Sequence, residues 1–337
     1  MNLSTVFPGA SPKALRKTAV LALILALAAH GFCFFNLTYS GESVMLNAAK
    51  GSASQIASGA FLMPLYWRVR GAISAPLWVG LLSSCYLSLT VVLLCGLLGL
   101  ASPYLIAMLA GSVVLSPSVL SIFAESIHTA DAAFLAFLLA SCAAVFCLRV
   151  RAGTLLGALL LAAAQALDRS SLSFFLGVSA ICLIQSLLKA DESARALVGR
   201  VLRILFCAAL GMAVYLGGFM LFLHRAGLDR EAALQAPAGK TVVGAWLYPL
   251  ALLFKPLTIY AHVGVVLHAL LIALGAFALL RLLPKMKGRV PALALLLLVF
   301  PLLVNLPAYS TLSAEQTSMP YVLLDALLIV LLQAAFE

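Results

Sequence analysis

Residues 132–148 read AAFLAFLLASCAAVFCL, and past Arg149-Val150-Arg151 the chain resumes with GTLLGALLLAAAQAL over residues 153–167. Neither run holds a charged side chain. Together they predict two membrane-crossing helices running in opposite directions, with the arginines in the turn between them. Runs of the same kind lie at about 18–36, 73–96, 102–120, 171–188, 204–223, 259–280, 291–308 and 320–336. The expected fold is therefore an all-α polytopic integral membrane protein with about ten spans. Composition agrees: of 337 residues, 64% are hydrophobic and 9% charged, against roughly 25% charged in soluble domains. A soluble globular domain is excluded.

Residues 1–17 form the expected N-terminal tail, with Lys13, Arg16 and Lys17 ahead of the first run. That run continues past the small residues Ala26-Leu27-Ala28 through Phe32, Phe34 and Phe35, so it reads as an uncleaved helix entered from the cytoplasm. Alternating sides then puts Arg149/Arg151, Lys189 to Arg203 and Arg281 to Arg289 all on the cytoplasmic face. The spans follow from hydropathy alone, so the one-sided placement of these clusters supports them independently. The stretch Val242 to Leu257, with Trp246, Tyr248, Pro249, Lys255 and Pro256, reads as a helix lying in the outer interface or re-entering it. One transmembrane domain over 18–337 results, with outer loops at about 37–71, 121–131, 168–170, 224–244 and 309–319.

The net charge of +10 is accounted for by these short basic clusters, and no nucleic-acid partner is expected. Seven cysteines, all inside apolar runs and none in a C-x-x-C pair, read as buried thiols, neither a disulfide framework nor a zinc site. No metal and no cofactor are called for.

Chemistry, where the sequence offers any, gathers in the outer loops. The first carries Glu42, then one or two short amphipathic helices, then Tyr66-Trp67-Arg68-Val69-Arg70 just before the second span. Guanidinium groups at headgroup depth suit phosphate, since a planar fork binds its oxygens in pairs while Trp67 holds the segment in the interface. The plainer reading has Arg68 and Arg70 snorkelling to lipid phosphates and Glu42 solvated. Glu125, His128 and Asp131 form a second constellation at i, i+3, i+6, one broad face if helical, suited to a divalent metal, to sugar or acceptor hydroxyls, or to a polar helix entry. Asp168 and Arg169 either cap the turn with Ser170 and Ser171 or hold a sugar. Asp325 lies inside the last run, where a mid-membrane aspartate costs about 2.5–3.5 kcal/mol. It is the feature that favours a proton-coupled transporter or flippase of a lipid-linked sugar, with Lys255 a partner only if the fold joins them.

The first helix ending His30-Gly31-Phe32-Cys33-Phe34-Phe35-Asn36, the early acidic residue, the aromatic-arginine-glycine segment before the second span, the Ser116-Pro117-Ser118 turn and the segment Gln165-Ala166-Leu167-Asp168-Arg169-Ser170-Ser171 resemble the bacterial type II Gtr glucosyltransferases. The resemblance covers roughly residues 18 to 200. It implies a GT-C-like enzyme of the bacterial cytoplasmic membrane that moves a sugar from a polyprenyl-phosphate donor to O-antigen or another cell-envelope glycan on the outer side. It implies Glu42 as the base, and Arg68, Arg70 and Trp67 at the donor phosphate; the second constellation offers Glu125 as the alternative base. His128, Asp131, Asp168 and Arg169 would meet sugar or acceptor. The chain departs from the family in having a single Glu42 after Gly41 where members carry aspartate, often paired. Relatives also run on beyond the position of Glu337, which leaves open a C-terminal acceptor-binding portion.

Overall fold

Proline and serine set most of the helix starts. Pro12, Pro76, Pro103 and Pro117 each open a helix, where the missing N–H costs nothing and the fixed φ is already helical. Ser11 and Ser193 cap theirs by accepting from Ala14 N (3.1 Å) and Ala196 N (3.3 Å). The computed structural model describes residues 11–36, 51–71, 75–100, 102–125, 127–150, 152–189, 193–228, 261–306 and 319–336. Among them the helices are α1 Pro12–Phe35, α2 Gly51–Ala57, α3 Met63–Val69, α4 Pro76–Leu97, α5 Pro103–Val114, α6 Pro117–Glu125, α7 Ile127–Arg149, α8 Thr154–Leu167, α9 Ser171–Lys189, α10 Ala194–Arg225, α11 Ala261–Met286, α12 Val290–Val304 and α13 Val322–Phe336. Among the described residues, eight helical segments are long and apolar enough to cross a membrane, and α8 and α12 are shorter apolar helices. The described residues form helices and no strand, compatible with a polytopic membrane protein.

Helices α4 and α7 pack together, flanked by α1 on α4 and α8 on α7. On the other side α9 touches α7, α10, α12 and α13, while α13 also packs on α5 and α11. Most side chains of α9 and α13 are buried, whereas α1, α10 and α11 expose apolar residues such as Ile24, Phe206 and Phe277. Lipid is the natural solvent for those faces. Small residues let the axes approach: a Cβ on Gly80 would run into the Phe34 ring, joining α4 to α1.

Three sequence expectations change. Helix α1 starts at Pro12, so Lys13, Arg16 and Lys17 ride its first turns and do not precede it. The run 102–120 is broken: Pro117 has no N–H to continue the ladder, and the Ser116 hydroxyl caps α6 by accepting from Val119 N at 3.2 Å. The Val114 carbonyl at this break is met by the buried His30 Nε2 at 2.9 Å, and the His30 ring stacks on Phe123. The outer loop at 121–131 is also replaced by helix, because Val119, Ile122 and Phe123 draw α6 into the core and α7 begins at Ile127. Asp131 therefore lies inside a helix. Glu125 closes α6, and His128 and Asp131 lie on the next helix, α7, which begins at Ile127. The segment 51–71, within the stretch expected as the first outer loop, contains two short helices, α2 and α3.

The bundle has two chemically distinct ends. At one, Arg149 Nη2 donates to Leu97 O (2.9 Å), Gln185 to Leu98 O (2.6 Å) and Gln333 to Gly99 O (3.2 Å). Arg203 reaches Thr154 Oγ1 (2.7 Å) and Val150 O, and Arg200 reaches Ser186 Oγ (2.7 Å). The donors to Leu97, Leu98, Gly99 and Val150 satisfy carbonyls that helix C-termini leave without partners. Arg289 Nη1 meets Leu187 O at 3.5 Å, so each of the three basic clusters assigned to one side from sequence contributes a donor to this end. The opposite end holds α2, α3, the start of α7 and the α8–α9 turn.

Candidate functional site at the outer-loop end

Helix α3 is seven residues long, and its side chains divide by helical angle. Tyr66 and Arg70 are one turn apart and share a face, while Arg68 is two residues from each and so points roughly 200° away. The Tyr66–Arg70 face meets Asp131 on α7. Arg70 Nη1 lies 2.7 Å from both Asp131 oxygens and 3.3 Å from His128 O, and Tyr66 donates to Asp131 Oδ2 at 2.8 Å. The Asp131 side chain is 0% exposed and that of Arg70 is 10% exposed. Neither charge could stay there alone, since an unpaired buried charge costs several kcal/mol.

Asp131 has no capacity left. Its Oδ1 accepts from Arg70 Nη1 and from Ala132 N (3.0 Å), and Oδ2 accepts from Arg70 Nη1 and Tyr66. A carboxylate offers about four lone-pair positions, and all four are used. Burial is the largest cause, with the neighbouring Asp131 and Tyr86 adding to it, that pushes the Tyr66 hydroxyl well above the usual tyrosine range, which keeps it a donor.

A second fastening lies between α2 and α3. The chain turns at Gly59 with φ +91°, where a Cβ would collide with the Arg169 guanidinium and the Tyr215 hydroxyl. Tyr215 on α10 donates to Gly59 O (3.2 Å) and accepts from Arg169 Nε (2.9 Å). The Arg169 guanidinium lies over the Phe219 ring at 5.5 Å, a cation–π contact. Phe61 inserts among Tyr215, Phe219 and Phe222, and Leu62 N donates to Ala166 O at 2.9 Å. The loop is thus pinned to α8 and α10 at one point and to α7 at another.

Asp168 sits beside this second fastening and faces its own turn. Its Oδ1 accepts from Ser170 N (2.8 Å) and Ser170 Oγ (2.6 Å) at the start of α9. Burial, the largest influence, pushes its carboxyl upward against the lowering effect of these two bonds.

The structure therefore brings Arg70 to Asp131 and His128, and Arg169 to Tyr215, but not Arg68 to Arg70's site. Arg68 is exposed; Trp67 is half-buried, and its Nε1 meets no partner among the described residues. Glu42 lies outside the described residues, as do the Glu125 side chain, Lys255 and the stretch Val242 to Leu257. Asp325 is buried on α13, which packs against α5, α9 and α11. Sequence reading missed Tyr66 as a partner, although its i, i+4 spacing to Arg70 was a signal. It also missed Tyr215 and Gly59, for which the sequence carries no local sign.

The segment with the aromatic and cationic side chains of α3 is thus fixed at two points over one end of the bundle. The Glucosyl transferase GtrII family matches the chain over residues 18–332. The chain belongs to that family. No curated protein and no solved structure matches it. For a GtrII-family chain, the pinned loop and its cations acquire a chemical setting, since the match spans both fastenings and the helices that hold them.

Proposed function

We propose that the chain transfers glucose from a polyprenyl-phosphate donor to a cell-envelope glycan such as O-antigen, outside the bacterial cytoplasmic membrane. The observation that carries this is the GtrII family match across residues 18–332. It is supported by the cationic, aromatic helix α3 at the end of the bundle opposite the arginine-rich one. In this reading α8 and α12 complete ten crossings in a GT-C-like arrangement. The N-terminus and the arginine-rich end face the cytoplasm, by the positive-inside rule. Family membership favours transfer over the transport weighed from Asp325.

The reaction is one displacement that inverts the anomeric carbon. An acceptor hydroxyl oxygen attacks C1 of the sugar while a carboxylate takes its proton. The bond from C1 to the phosphate oxygen breaks, and its electron pair leaves with the polyprenyl phosphate. Phosphate needs no proton to depart, so a second carboxylate acting as acid is unnecessary, unlike in glycoside hydrolysis. A nearby guanidinium stabilises the charge it gains. Glu42 is the base and Glu125 the alternative. Asp131 has committed both oxygens to the protein and serves to hold the loop; Asp168 is bonded within the protein through Oδ1 and Arg169 through Nε, and His128 is the proposed contact for sugar or acceptor.

The test is transfer of radiolabelled glucose from synthetic polyprenyl-phosphate glucose to envelope glycan, by wild type, Glu42→Gln and Glu125→Gln at matched membrane levels. Loss in Glu42→Gln alone supports that base; loss in Glu125→Gln alone moves it. Folded wild type that transfers nothing overturns the reading.

A further inference from the structure

We infer that the two arginines of α3 have separate tasks: Arg70 is a positioning residue locked to Asp131, and Arg68 is the cation that binds the phosphodiester of the lipid-linked sugar. The second half rests on the transfer reading above, and the first rests on geometry alone.

Arg70 spends Nη1 on a carboxylate that is saturated and buried, with a further bond to His128 O. Its charge is neutralised where it lies. An anion arriving there would have to displace Asp131 or share the cation with it, and a second negative charge beside a buried carboxylate is repelled. Arg68 has the opposite setting. It is exposed, and Leu65 at i−3 and Val69 at i+1 are 51% and 80% exposed. Leu65 and Val69, at i and i+4, form an exposed apolar stripe, and Arg68, one turn from Leu65, lies along its edge. That is the complement of a phosphate carried on a hydrocarbon chain: the fork takes the oxygens while leucine and valine meet the chain. A soluble phosphate or free sugar has no use for the apolar flanks.

The stripe is aimed by the other face of the same helix. With seven residues, α3 is too short to hold its own orientation. Tyr66 and Arg70, bound to Asp131, fix its rotation, and Leu62 N on Ala166 O fixes its start. A loosened Arg70–Asp131 pair lets α3 roll, and Arg68 loses its place.

Bulk phospholipid also carries phosphate on hydrocarbon, and the experiment separates the two sources. Purified full-length protein in nanodiscs of phosphatidylcholine, and separately of phosphatidylglycerol, is titrated with synthetic polyprenyl-phosphate glucose, and donor affinity is measured directly. Arg68→Gln is expected to weaken donor binding about 10- to 100-fold in both lipids, the range of one charge-assisted bond. Arg70→Gln and Asp131→Asn are expected to weaken it less. In the Arg68→Gln background neither adds further loss, because they act through Arg68. Thermal unfolding without donor gives the converse: Arg70→Gln and Asp131→Asn each lower Tm, the double variant falls no further than the worse single, and Arg68→Gln leaves Tm unchanged.

Unchanged donor affinity in Arg68→Gln would make it a bulk-lipid contact and overturn the assignment. Arg70→Gln weakening binding as strongly as Arg68→Gln, with Asp131→Asn silent, would put the phosphate on Arg70 and overturn it too. Wild type that binds no donor overturns the Arg68 half, and additive Tm losses for Arg70→Gln and Asp131→Asn overturn the Arg70 half. Donor binding with this pattern but no glucose transfer leaves the inference standing and removes the transfer reading.

Discussion

The two ends of the bundle use arginine in different ways. At the basic end Arg149 and Arg203 donate to backbone carbonyls that helix termini leave unpaired. At the other end Arg70 meets a buried carboxylate and Arg169 meets a tyrosine and a phenylalanine ring. Carbonyl partners come with any helix C-terminus, so the first arrangement closes the bundle. A buried carboxylate is expensive to supply, so the second is kept where a loop must be held in one orientation. The same residue type closes the bundle at one end and aims a loop at the other.

Removing Asp131 separates these roles most sharply. Asp131→Ala strands the Arg70 charge in a buried position and is expected to cost about 3–5 kcal/mol. Arg149→Ala, which removes one charged donor from a carbonyl, should cost about 1.5–3 kcal/mol. Thermal unfolding in detergent ranks the two, and equal losses would erase the distinction.

Glycine offers the next comparison, because both ends have glycines with positive φ. At Gly99 (φ +58°) a Cβ meets nothing, so Gly99→Ala carries only the left-handed backbone penalty of roughly 1–2 kcal/mol. At Gly59 the added Cβ must also push Arg169 and Tyr215 aside. Gly59→Ala should therefore lose more stability than Gly99→Ala and expose residues 51–71 to protease. Protease resistance equal to wild type would show that the fastening does not hold the loop.

Tyr66→Phe removes one hydrogen bond to a charged acceptor and leaves the ion pair, a loss of about 1.5–3 kcal/mol. Since burial and Asp131 raise the Tyr66 pKa on folding, its contribution is complete below the ordinary tyrosine range and is lost only as pH rises through the folded value. The Tm difference between wild type and Tyr66→Phe should therefore be flat from pH 6 to 8.

Asp168 gives the smallest effect and the opposite lesson. Burial raises its pKa, so its contribution is fully present below the unfolded carboxylate value and is lost as pH rises through the folded one. Wild-type Tm should rise slightly on acidification relative to Asp168→Asn. A fall would reverse the balance between burial and the Ser170 bonds.

Much of the fold was legible because lipid imposes long uncharged runs and leaves basic residues in the turns. The break at Ser116–Pro117 was visible as a turn, but periodicity could not say that apolar residues after it would carry on as helix α6. Arg70, Asp131, Asp168 and Arg169 were readable as chemically able residues in outer segments. Their partners were not: Asp131 lies 61 positions from Arg70, and Tyr215 lies 46 from Arg169. Packing alone decides such pairings. The angular separation of Arg68 from Arg70 was implicit in their spacing, once residues 63–69 are helical.

The most direct measurement is glucose transfer by purified full-length protein in liposomes supplied with polyprenyl-phosphate glucose and an envelope-glycan acceptor, beside Arg68→Gln at equal folded amounts. Wild type is expected to label the glycan, and Arg68→Gln to lose most of that labelling while keeping the wild-type Tm. Folded wild type that leaves the glycan unlabelled would contradict the proposed transfer.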